Sequence, residues 1–301
     1  MLIIVTCKFS QWIFRVPWCM GESGEIDSDM KIAQYYDKDR IRLGRVEDKY
    51  LIPLDYRGDM IDFINNPLGP KYSGEHLPLE ELQFAPPVSR PSKIIGIGLN
   101  YRDHVRESKG RIPEFPMVFA KFPNTLVGHN GLITWSSNLT RKVDFEAELA
   151  VIIGKIIHEC PEERIMESLF GYTCANDVSA RDLQFGDGQW VRGKSLDTFC
   201  PLGPWIVTCD EIDDPHNLGI KCMLNGQIMQ DSNTHLMLFN LPSLISFLSR
   251  NFTLIPGDVV LTGTPRGVGC FQEPSVYMKD GDEIVVEIEG VGRLENTCKI
   301  C

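Results

Sequence analysis

The segment 144–153 constrains the fold more than any other part of this 301-residue chain. It alternates acidic and apolar residues from Asp144 through Glu146 to Glu148, and it then becomes continuously apolar over Ala150–Ile153. Alternate side chains of a β-strand share one face, so the three carboxylates are expected to point the same way. A continuously apolar run predicts a strand that is buried on both faces. The sequence therefore predicts a buried strand that begins with a row of carboxylates.

Carboxylates beside a buried strand repel one another and resist desolvation, and a divalent cation removes that cost. About 30 residues further on, Asp177 follows the apolar run Gly171–Ala175 and could supply a third oxygen ligand. A few carboxylate oxygens, completed by water, suit Mg²⁺ or Mn²⁺ better than zinc. The alternative interpretation is an edge strand whose acidic face lies in solvent.

The remainder of the chain favours strands over helices. Apolar runs of strand length recur between turns that contain Gly or Pro: 93–99, 117–122, 171–175, 202–207, 258–262 and 283–289. The Asn225-Gly226 pair within 219–229 is a strong hairpin signal. Helices are predicted at fewer places: 60–65, 79–82, 162–169 and 241–250. This balance predicts a β-rich α+β fold.

Composition divides the chain into four segments. Residues 1–29 form an extension that is either disordered or a targeting segment, because the first 20 residues contain two basic and no acidic residues. Residues 30–82 form a small N-terminal α/β unit. The segment 83–92 is rich in proline, which lacks a backbone donor, and is predicted to be a linker. Residues 93–301 form the large domain.

The formal net charge of the chain is −11 at pH 7. An acidic surface repels phosphate backbones and anionic lipids, so no nucleic-acid or membrane partner is expected. No apolar run approaches the roughly 20 residues that span a bilayer. Ten scattered cysteines are typical of buried free thiols in a reducing compartment. The chain is therefore predicted to be cytoplasmic, or mitochondrial if residues 1–29 are a targeting segment.

Three further patterns carry chemistry. On a helical turn, Glu107 can hold the imidazole of His104 and make it a general base for water; the alternative is a charge pair on a solvated helix face. Lys194 follows a flexible glycine and either neutralises an oxyanion or lies at the surface. The Gly-rich loop 262–269 offers backbone N–H groups and a hydroxyl to a carboxylate. It is not a Walker A loop, and Gly96-Ile-Gly98 lacks the third glycine of a dinucleotide fingerprint.

Six segments, in this order, resemble the fumarylacetoacetate hydrolase family: GLNYRDHVRE, DFEAELAVIIG, NDVSARDLQ, GKSLDTFCPLGP, NGQIMQDSNT and PGDVVLTGTPRGVG. The resemblance extends from about residue 92 to about residue 291, roughly two thirds of the chain. Each segment alone is weak evidence, but six in series are highly specific. The motif DTFCPLGP is most similar to the sequences of the branch that contains fumarylacetoacetate hydrolase domain-containing protein 2.

The resemblance implies a catalytic domain of the family's type, a mixed β-sandwich or β-roll, at residues 93–301. It implies a Mg²⁺ or Mn²⁺ ion held by three carboxylates: Glu146, Glu148 and Asp177. Homodimers are usual in the family, so a homodimer is expected here.

The resemblance also implies roles in catalysis. His104 and Glu107 would form a dyad on a mobile segment that closes over the substrate, and Lys194 would lie near the developing oxyanion. Contacts to substrate oxygens are implied for three further residues: Arg181, Gln184 and Thr264.

The implied substrates are small 2-oxo acids, whose enolate the metal and Lys194 would stabilise. Three outcomes remain open: hydrolysis of the C–C bond of an acylpyruvate-like or fumarylacetoacetate-like substrate, enol–keto tautomerisation of oxaloacetate, and decarboxylation of oxaloacetate. Isomerisation of 2-hydroxyhepta-2,4-diene-1,7-dioate is a further alternative. The branch resemblance favours the tautomerase. A non-catalytic, metal-stabilised dimer is the alternative from a different class of protein.

Overall fold

A computed structural model describes residues 30–66 and 71–301 of the chain. The predicted extension at 1–29 lies outside these residues. The strands are β1 (Lys31–Asp37), β2 (Arg40–Glu47), β3 (Tyr50–Pro53), β4 (Leu77–Pro78), β5 (Phe84–Ala85), β6 (Ile94–Gly98), β7 (Met117–Lys121), β8 (Leu126–Val127), β9 (Leu132–Trp135), β10 (Val143–Asp144), β11 (Ala147–Ile153), β12 (Leu169–Asn176), β13 (Ser179–Ala180), β14 (Cys200–Thr208), β15 (Gly219–Leu224), β16 (Gln227–Asn233), β17 (Val259–Leu261), β18 (Glu283–Ile288) and β19 (Gly292–Ile300).

Helices are short and fewer. The α-helices are α1 (Met60–Asn65), α2 (Arg102–Glu107), α3 (Arg181–Gly186), α4 (Val191–Lys194) and α5 (Leu241–Asn251). Single 3₁₀ turns lie at Leu79–Glu81, Pro123–Thr125, Glu162–Arg164, Met166–Ser168, Cys209–Glu211, Thr234–Leu236 and Gly269–Phe271.

One large mixed sheet runs through the described chain. Its main path is β4, β3, β2, β1, β14, β12, β11, β17, β6 and β7, with β5 beside β1 and β8 beside β14. β11 is antiparallel to both β12 and β17, and all of its residues are buried. The apolar run therefore forms a strand covered on both faces, as its sequence predicts.

A second sheet of five strands, β16, β15, β18, β19 and β9, packs against the large one. Its strand β15 alternates buried and partly exposed residues, because one face meets the core and the other does not. One hydrophobic cluster joins Leu149 and Tyr172 of the large sheet to Ile220 and Val286 of the second sheet, and Leu244 of α5 packs into it. The predicted β-rich α+β class with mixed sheets is confirmed.

The leading residues join the large sheet through β1, which pairs with β2, β5 and β14. β5 lies within the predicted linker at 83–92. The buried Gln34 holds this region together: its Nε2 donates to the Pro86 carbonyl oxygen at 2.6 Å and to Ser89 Oγ at 2.7 Å. Its Oε1 accepts a hydrogen bond from Met60 N at 2.9 Å, at the start of α1.

Two predicted short helices form only as 3₁₀ helices. The segment 162–169 forms two 3₁₀ turns and the start of β12, because the Ser168 carbonyl accepts hydrogen bonds from Gly154 N and Lys155 N and the chain reverses there. The segment 79–82 forms one 3₁₀ turn. Strand β19 is not predicted from the sequence, because Asn296 occupies a buried position where an apolar residue is expected. The amide of Asn296 donates to the carbonyls of Gly128 and Gly131.

The substitution Gln34→Leu is expected to lower the free energy of unfolding by about 3 kcal/mol, because it leaves the buried Met60 N–H without a partner and removes the hydrogen bonds to the Pro86 carbonyl and to Ser89 Oγ. Denaturant-induced unfolding of the full chain measures this change. The control Gln227→Leu alters an exposed glutamine and is expected to change stability by less than about 0.5 kcal/mol. Equal losses in the two variants would contradict the role assigned to Gln34.

Candidate active site

Three carboxylates meet at the junction of β11 and β12. The antiparallel register pairs Ala147 with Asn176, which brings Glu146 and Glu148 next to Asp177. The carboxylate oxygens that these three offer lie within 4.8 Å of one another. Their side chains are buried, and β11 lies inside the large sheet rather than at its edge. The alternative of an edge strand with a solvated acidic face is therefore wrong.

Two buried lysines compensate part of this negative charge. The Nζ of Lys194, on α4, lies 2.8 Å from Glu146 Oε2 and 2.5 Å from Asp177 Oδ2. The Nζ of Lys121, at the end of β7, lies 2.6 Å from Asp177 Oδ1 and donates to the Val178 carbonyl oxygen at 3.2 Å. Because each oxygen of Asp177 contacts one lysine, the orientation of its carboxylate is fixed.

Compensation is uneven across the three carboxylates. Burial opposes ionisation of Glu146, but Lys194 and Arg181 outweigh this effect and lower the pKa of Glu146 to about 2. Burial, together with repulsion from Asp177 and Glu146, raises the pKa of Glu148 well above its usual value. Burial also disfavours the charged form of Lys194, but Asp177 and Glu146 outweigh it and raise the pKa of Lys194. Lys194 is therefore a buried cation, and Glu148 is the carboxylate that lacks a counter-charge.

The surroundings of Glu148 fit a divalent cation. Within the described residues, Glu148 accepts one hydrogen bond, from Gly263 N at 2.7 Å, and forms no ion pair. Three carboxylates that offer only oxygen ligands match the preference of Mg²⁺ and Mn²⁺. A cation there would offset the repulsion between Glu148 and its two acidic neighbours.

Asp144 does not join the other carboxylates but fixes Arg181. Its Oδ2 lies 2.7 Å from Arg181 Nε, and its two oxygens also accept hydrogen bonds from Gly269 N at 2.7 Å and Cys270 N at 3.0 Å. Arg181 also contacts Glu146 through Nη1 at 2.7 Å, so Asp144 and Glu146 approach the same guanidinium group. Asp144 is not one of the three carboxylates that could hold a metal ion.

Arg181 has one unsatisfied donor. Its Nη1 lies 2.7 Å from Glu146 Oε1 and donates to Gln184 Oε1 at 2.9 Å. Its Nη2 is buried and has no hydrogen-bond partner within the described chain. A buried cationic donor without a partner is costly, and an anionic ligand oxygen would satisfy it.

His104 and Glu107 form a pair on α2. His104 Nδ1 lies 3.2 Å from Glu107 Oε2, and Glu107 Oε1 accepts a hydrogen bond from Gly267 N at 2.9 Å. The imidazole also packs against Phe271, with 5.9 Å between ring centroids. His104 is only 7% exposed, so the alternative of a solvated helix face is wrong for it. With Nδ1 engaged, Nε2 is the ring nitrogen that remains for a ligand.

These groups line or adjoin one cavity of about 380 Å³. Six of the nine predicted site residues line it: His104, Glu146, Arg181, Gln184, Lys194 and Thr264. The other three lie next to the lining residues. Glu107 contacts His104, Asp177 contacts Lys194, and Glu148 lies beside Glu146.

The hydroxyl of Thr264, which is expected to contact a substrate oxygen, is already hydrogen-bonded within the protein. Its hydroxyl donates to the Ala147 carbonyl oxygen at 2.9 Å and accepts a hydrogen bond from Gln230 Nε2 at 2.8 Å. Because its single hydroxyl proton is already used within the protein, Thr264 cannot donate it to a ligand without losing the bond to Ala147.

Several site residues are absent from the sequence prediction. Lys121 is one, although a lysine at the end of the apolar run 117–122 is a usable signal. The aromatic residues Phe119 and Trp190, which line the cavity, are others. They look like ordinary core residues in the sequence, because nothing there indicates which face they present.

Two family models match the chain. The one described as fumarylacetoacetate (FAA) hydrolase C-terminal matches residues 93–299, and one described as Rv2993c-like, N-terminal, matches residues 30–87. Within the described residues, no helix is long and apolar enough to cross a membrane.

Relatives of known structure or name extend the similarity. The rat protein named oxaloacetate tautomerase Fahd2a, mitochondrial, is 48% identical over 73% of this chain and 70% of its own length. A fumarylacetoacetate hydrolase from Exiguobacterium antarcticum has a TM-score of 0.80 and 36% identity, covering 90% of this chain and all of that one. A 2-hydroxyhepta-2,4-diene-1,7-dioate isomerase from Mycobacterium marinum has a TM-score of 0.76 and 33% identity, over 90% and 98% of the two chains.

The substitution Glu148→Gln should separate charge repulsion from metal binding. Without metal, we expect the variant to unfold at the same or a higher temperature than the unsubstituted chain, because it removes a buried and repelled carboxylate. With Mg²⁺ or Mn²⁺, the melting temperature of the unsubstituted chain should rise and that of the variant should not. Thermal unfolding in EDTA and in each metal measures both effects. The control Glu163→Gln changes an exposed residue and should keep the metal-induced rise in melting temperature. If Glu148→Gln showed the same rise as the unsubstituted chain, the metal site would be contradicted.

Proposed function

Because this chain belongs to the fumarylacetoacetate hydrolase family of enzymes, we propose that it is a divalent-metal-dependent enzyme that tautomerises oxaloacetate between its enol and keto forms. The observation that carries the proposal is a buried cation, Lys194, in a cavity that it shares with His104 beside three carboxylates. The printed name of the rat relative supports the choice of substrate and reaction. Since the relatives are named as enzymes, the non-catalytic dimer is set aside.

The metal would be held by the three carboxylates described above: Glu146, Glu148 and Asp177. A bound Mg²⁺ or Mn²⁺ ion would supply Lewis-acid stabilisation of negative charge on the substrate. Lys121, which contacts Asp177, keeps that carboxylate oriented toward the site.

Recognition of the substrate carboxylates is assigned to Arg181 and Gln184. The unsatisfied Nη2 of Arg181 is a charge-assisted donor for an anionic oxygen. The Gln184 carbonyl binds Arg181 Nη1, so its amide nitrogen remains for a second substrate oxygen. Burial strengthens both contacts, because the local dielectric is lower than that of water.

The reaction moves protons only. The enol loses its hydroxyl proton and gains a proton at C3, so the composition of the substrate does not change. Lys194 stabilises the negative oxygen of the enolate that lies between the two forms. His104 exchanges the C3 proton through Nε2, while Glu107 holds the ring in place through Nδ1.

Hydrolysis of an acylpyruvate is the second candidate function. The specific observation in its favour is the His104–Glu107 pair, which could take a proton from water instead of moving one at C3. The name of the Exiguobacterium antarcticum neighbour also supports it. The two reactions share the carboxylates, Lys194 and the enolate, and differ in whether water attacks a distal carbonyl.

A ¹H NMR time course with oxaloacetate and, separately, acetylpyruvate tests both functions. Each substrate is followed with Mg²⁺, with EDTA, and with Mg²⁺ but no protein, since the free metal also accelerates enolisation. We expect faster enol–keto exchange of oxaloacetate with protein and metal. His104→Ala should lower this rate by about 10²- to 10⁴-fold, and the control His158→Ala, at an exposed histidine, should not.

The outcomes separate the alternatives. Metal-dependent acetate from acetylpyruvate, without exchange of oxaloacetate, would establish the hydrolase instead. Release of CO₂ from oxaloacetate above the protein-free rate would establish a decarboxylase. No metal-dependent effect on either substrate would contradict the proposed function.

A homodimer is the proposed assembly. β7 is at an edge of the large sheet, and its residues Met117 and Val118 are 38% and 39% exposed. Ile112 and Phe115, just before it, are also exposed. An apolar edge strand of this kind favours pairing with another chain. Analytical ultracentrifugation should give a dimer mass, and a charged substitution at Val118 should shift it to monomer; a monomer before substitution would contradict the assembly.

Two cellular locations are proposed for the protein, the cytoplasm and, as the alternative, the mitochondrion. The cytoplasmic expectation rests on the reduced cysteines, and the mitochondrial alternative gains support from the printed location of the rat relative. Cell fractionation distinguishes them.

A further inference from the structure

We propose that the active-site cavity contains an apolar subsite, walled by Phe119, Trp190, Phe185 and Phe271, that accepts 2-oxo acids bearing an aryl or alkyl group beyond C3. This inference rests on the proposed function, because the charged groups of the cavity must first bind the 2-oxo acid. It goes further in naming a substrate class that is larger and less polar than oxaloacetate.

The inner wall of the subsite depends on two glycines of β6. A Cβ at Gly96 would lie 2.2 Å from Cζ of Phe119, and a Cβ at Gly98 would lie 2.6 Å from Cζ3 of Trp190. Both rings therefore pack where any larger residue would place its side chain. This close packing explains the glycines of the IIGIGL segment, which do not belong to a dinucleotide fingerprint.

The two rings also support one another. Phe119 and Trp190 meet edge to face, with 5.5 Å between their centroids. Lys194 Nζ lies 5.0 Å from the centroid of the Phe119 ring, so the aromatic wall begins directly beside the buried cation. A ligand whose oxygens contact Lys194 would therefore extend its carbon chain along an aromatic surface.

The outer wall consists of aromatic residues that remain exposed. Phe185, on α3, is 61% exposed, and Phe271 is 37% exposed. Both line the same cavity as the charged groups. An apolar substituent of a bound substrate would remove part of this aromatic surface from water.

The volume of the cavity favours the same class of substrate. The cavity of about 380 Å³ lies within the range of pockets that bind drug-sized ligands. A four-carbon acid held by Arg181, Gln184 and Lys194 would fill only the charged part of it. The remaining space is bounded mainly by aromatic and aliphatic side chains, among them Ile97 and Leu99. An aryl or alkyl chain fits this surface, whereas a second charged group would lose its hydration there.

The test compares two ligands that differ only in the apolar group: 2-oxobutanoate and 4-phenyl-2-oxobutanoate. Their affinities for the full chain with Mg²⁺ are measured by calorimetry, with oxalate as a probe of the charged part alone. We expect the phenyl compound to bind at least tenfold more tightly than 2-oxobutanoate, since burial of even small apolar groups gives 10- to 200-fold discrimination.

Two variants test where the phenyl group binds. Phe185→Ala removes part of the outer wall, and Gly98→Ala forces Trp190 out of its present position, because the added Cβ would lie 2.6 Å from Cζ3 of its ring. Each substitution should therefore reduce the affinity ratio toward one. Phe185 is mostly exposed, so its substitution keeps the test valid if Gly98→Ala does not fold. The control Phe122→Ala, at an exposed phenylalanine outside the cavity lining, should leave the ratio unchanged.

The two proposals fail in different ways. If oxalate and both 2-oxo acids do not bind, the proposed function is contradicted. If oxalate and 2-oxobutanoate bind but the phenyl compound binds no more tightly, the apolar subsite is contradicted and the proposed function stands. A tenfold preference that persists unchanged in Phe185→Ala and Gly98→Ala would also contradict the subsite, because the phenyl group would then bind elsewhere.

Discussion

Burial of several carboxylates in the middle of a β-sheet is the constraint on which the rest of the structure depends. Four of them, Asp144, Glu146, Glu148 and Asp177, are at most 6% exposed. Three of them, all except Glu148, form ion pairs with cations from three separate elements: Lys121 of β7, Arg181 of α3 and Lys194 of α4. Charge compensation therefore determines how these elements pack against β11 and β12.

The Gly-rich loop after β17 is the second half of this arrangement. Its N–H groups are predicted to hold a carboxylate, and the carboxylates that they hold belong to the protein itself. Gly263 donates to Glu148, Gly267 donates to Glu107, and Gly269 and Cys270 donate to Asp144. A Cβ at Gly267 or Gly269 would overlap the backbone of a neighbouring segment, so close approach requires glycine at both positions.

The sequence predicts those parts of the molecule in which a residue's type and its neighbours along the chain decide the outcome. The buried strand at 149–153 and the pairing of His104 with Glu107 are of this kind, since period and spacing specify them. The partners of Lys121 and Asp144 could not be predicted, because they depend on contacts between distant segments. The polar residue Asn296 hid β19 for the same reason: its partners lie more than 160 residues away.

The packing of Phe119 against Gly96 has a consequence for how relatives of this chain can diverge. Gly96 does not line the cavity, yet a methyl group there would push an aromatic ring toward the ligand. A substitution on β6, at a residue that does not line the cavity, can therefore change the size of substrate that the cavity accepts. Two relatives could keep every reacting group identical and still differ in substrate specificity.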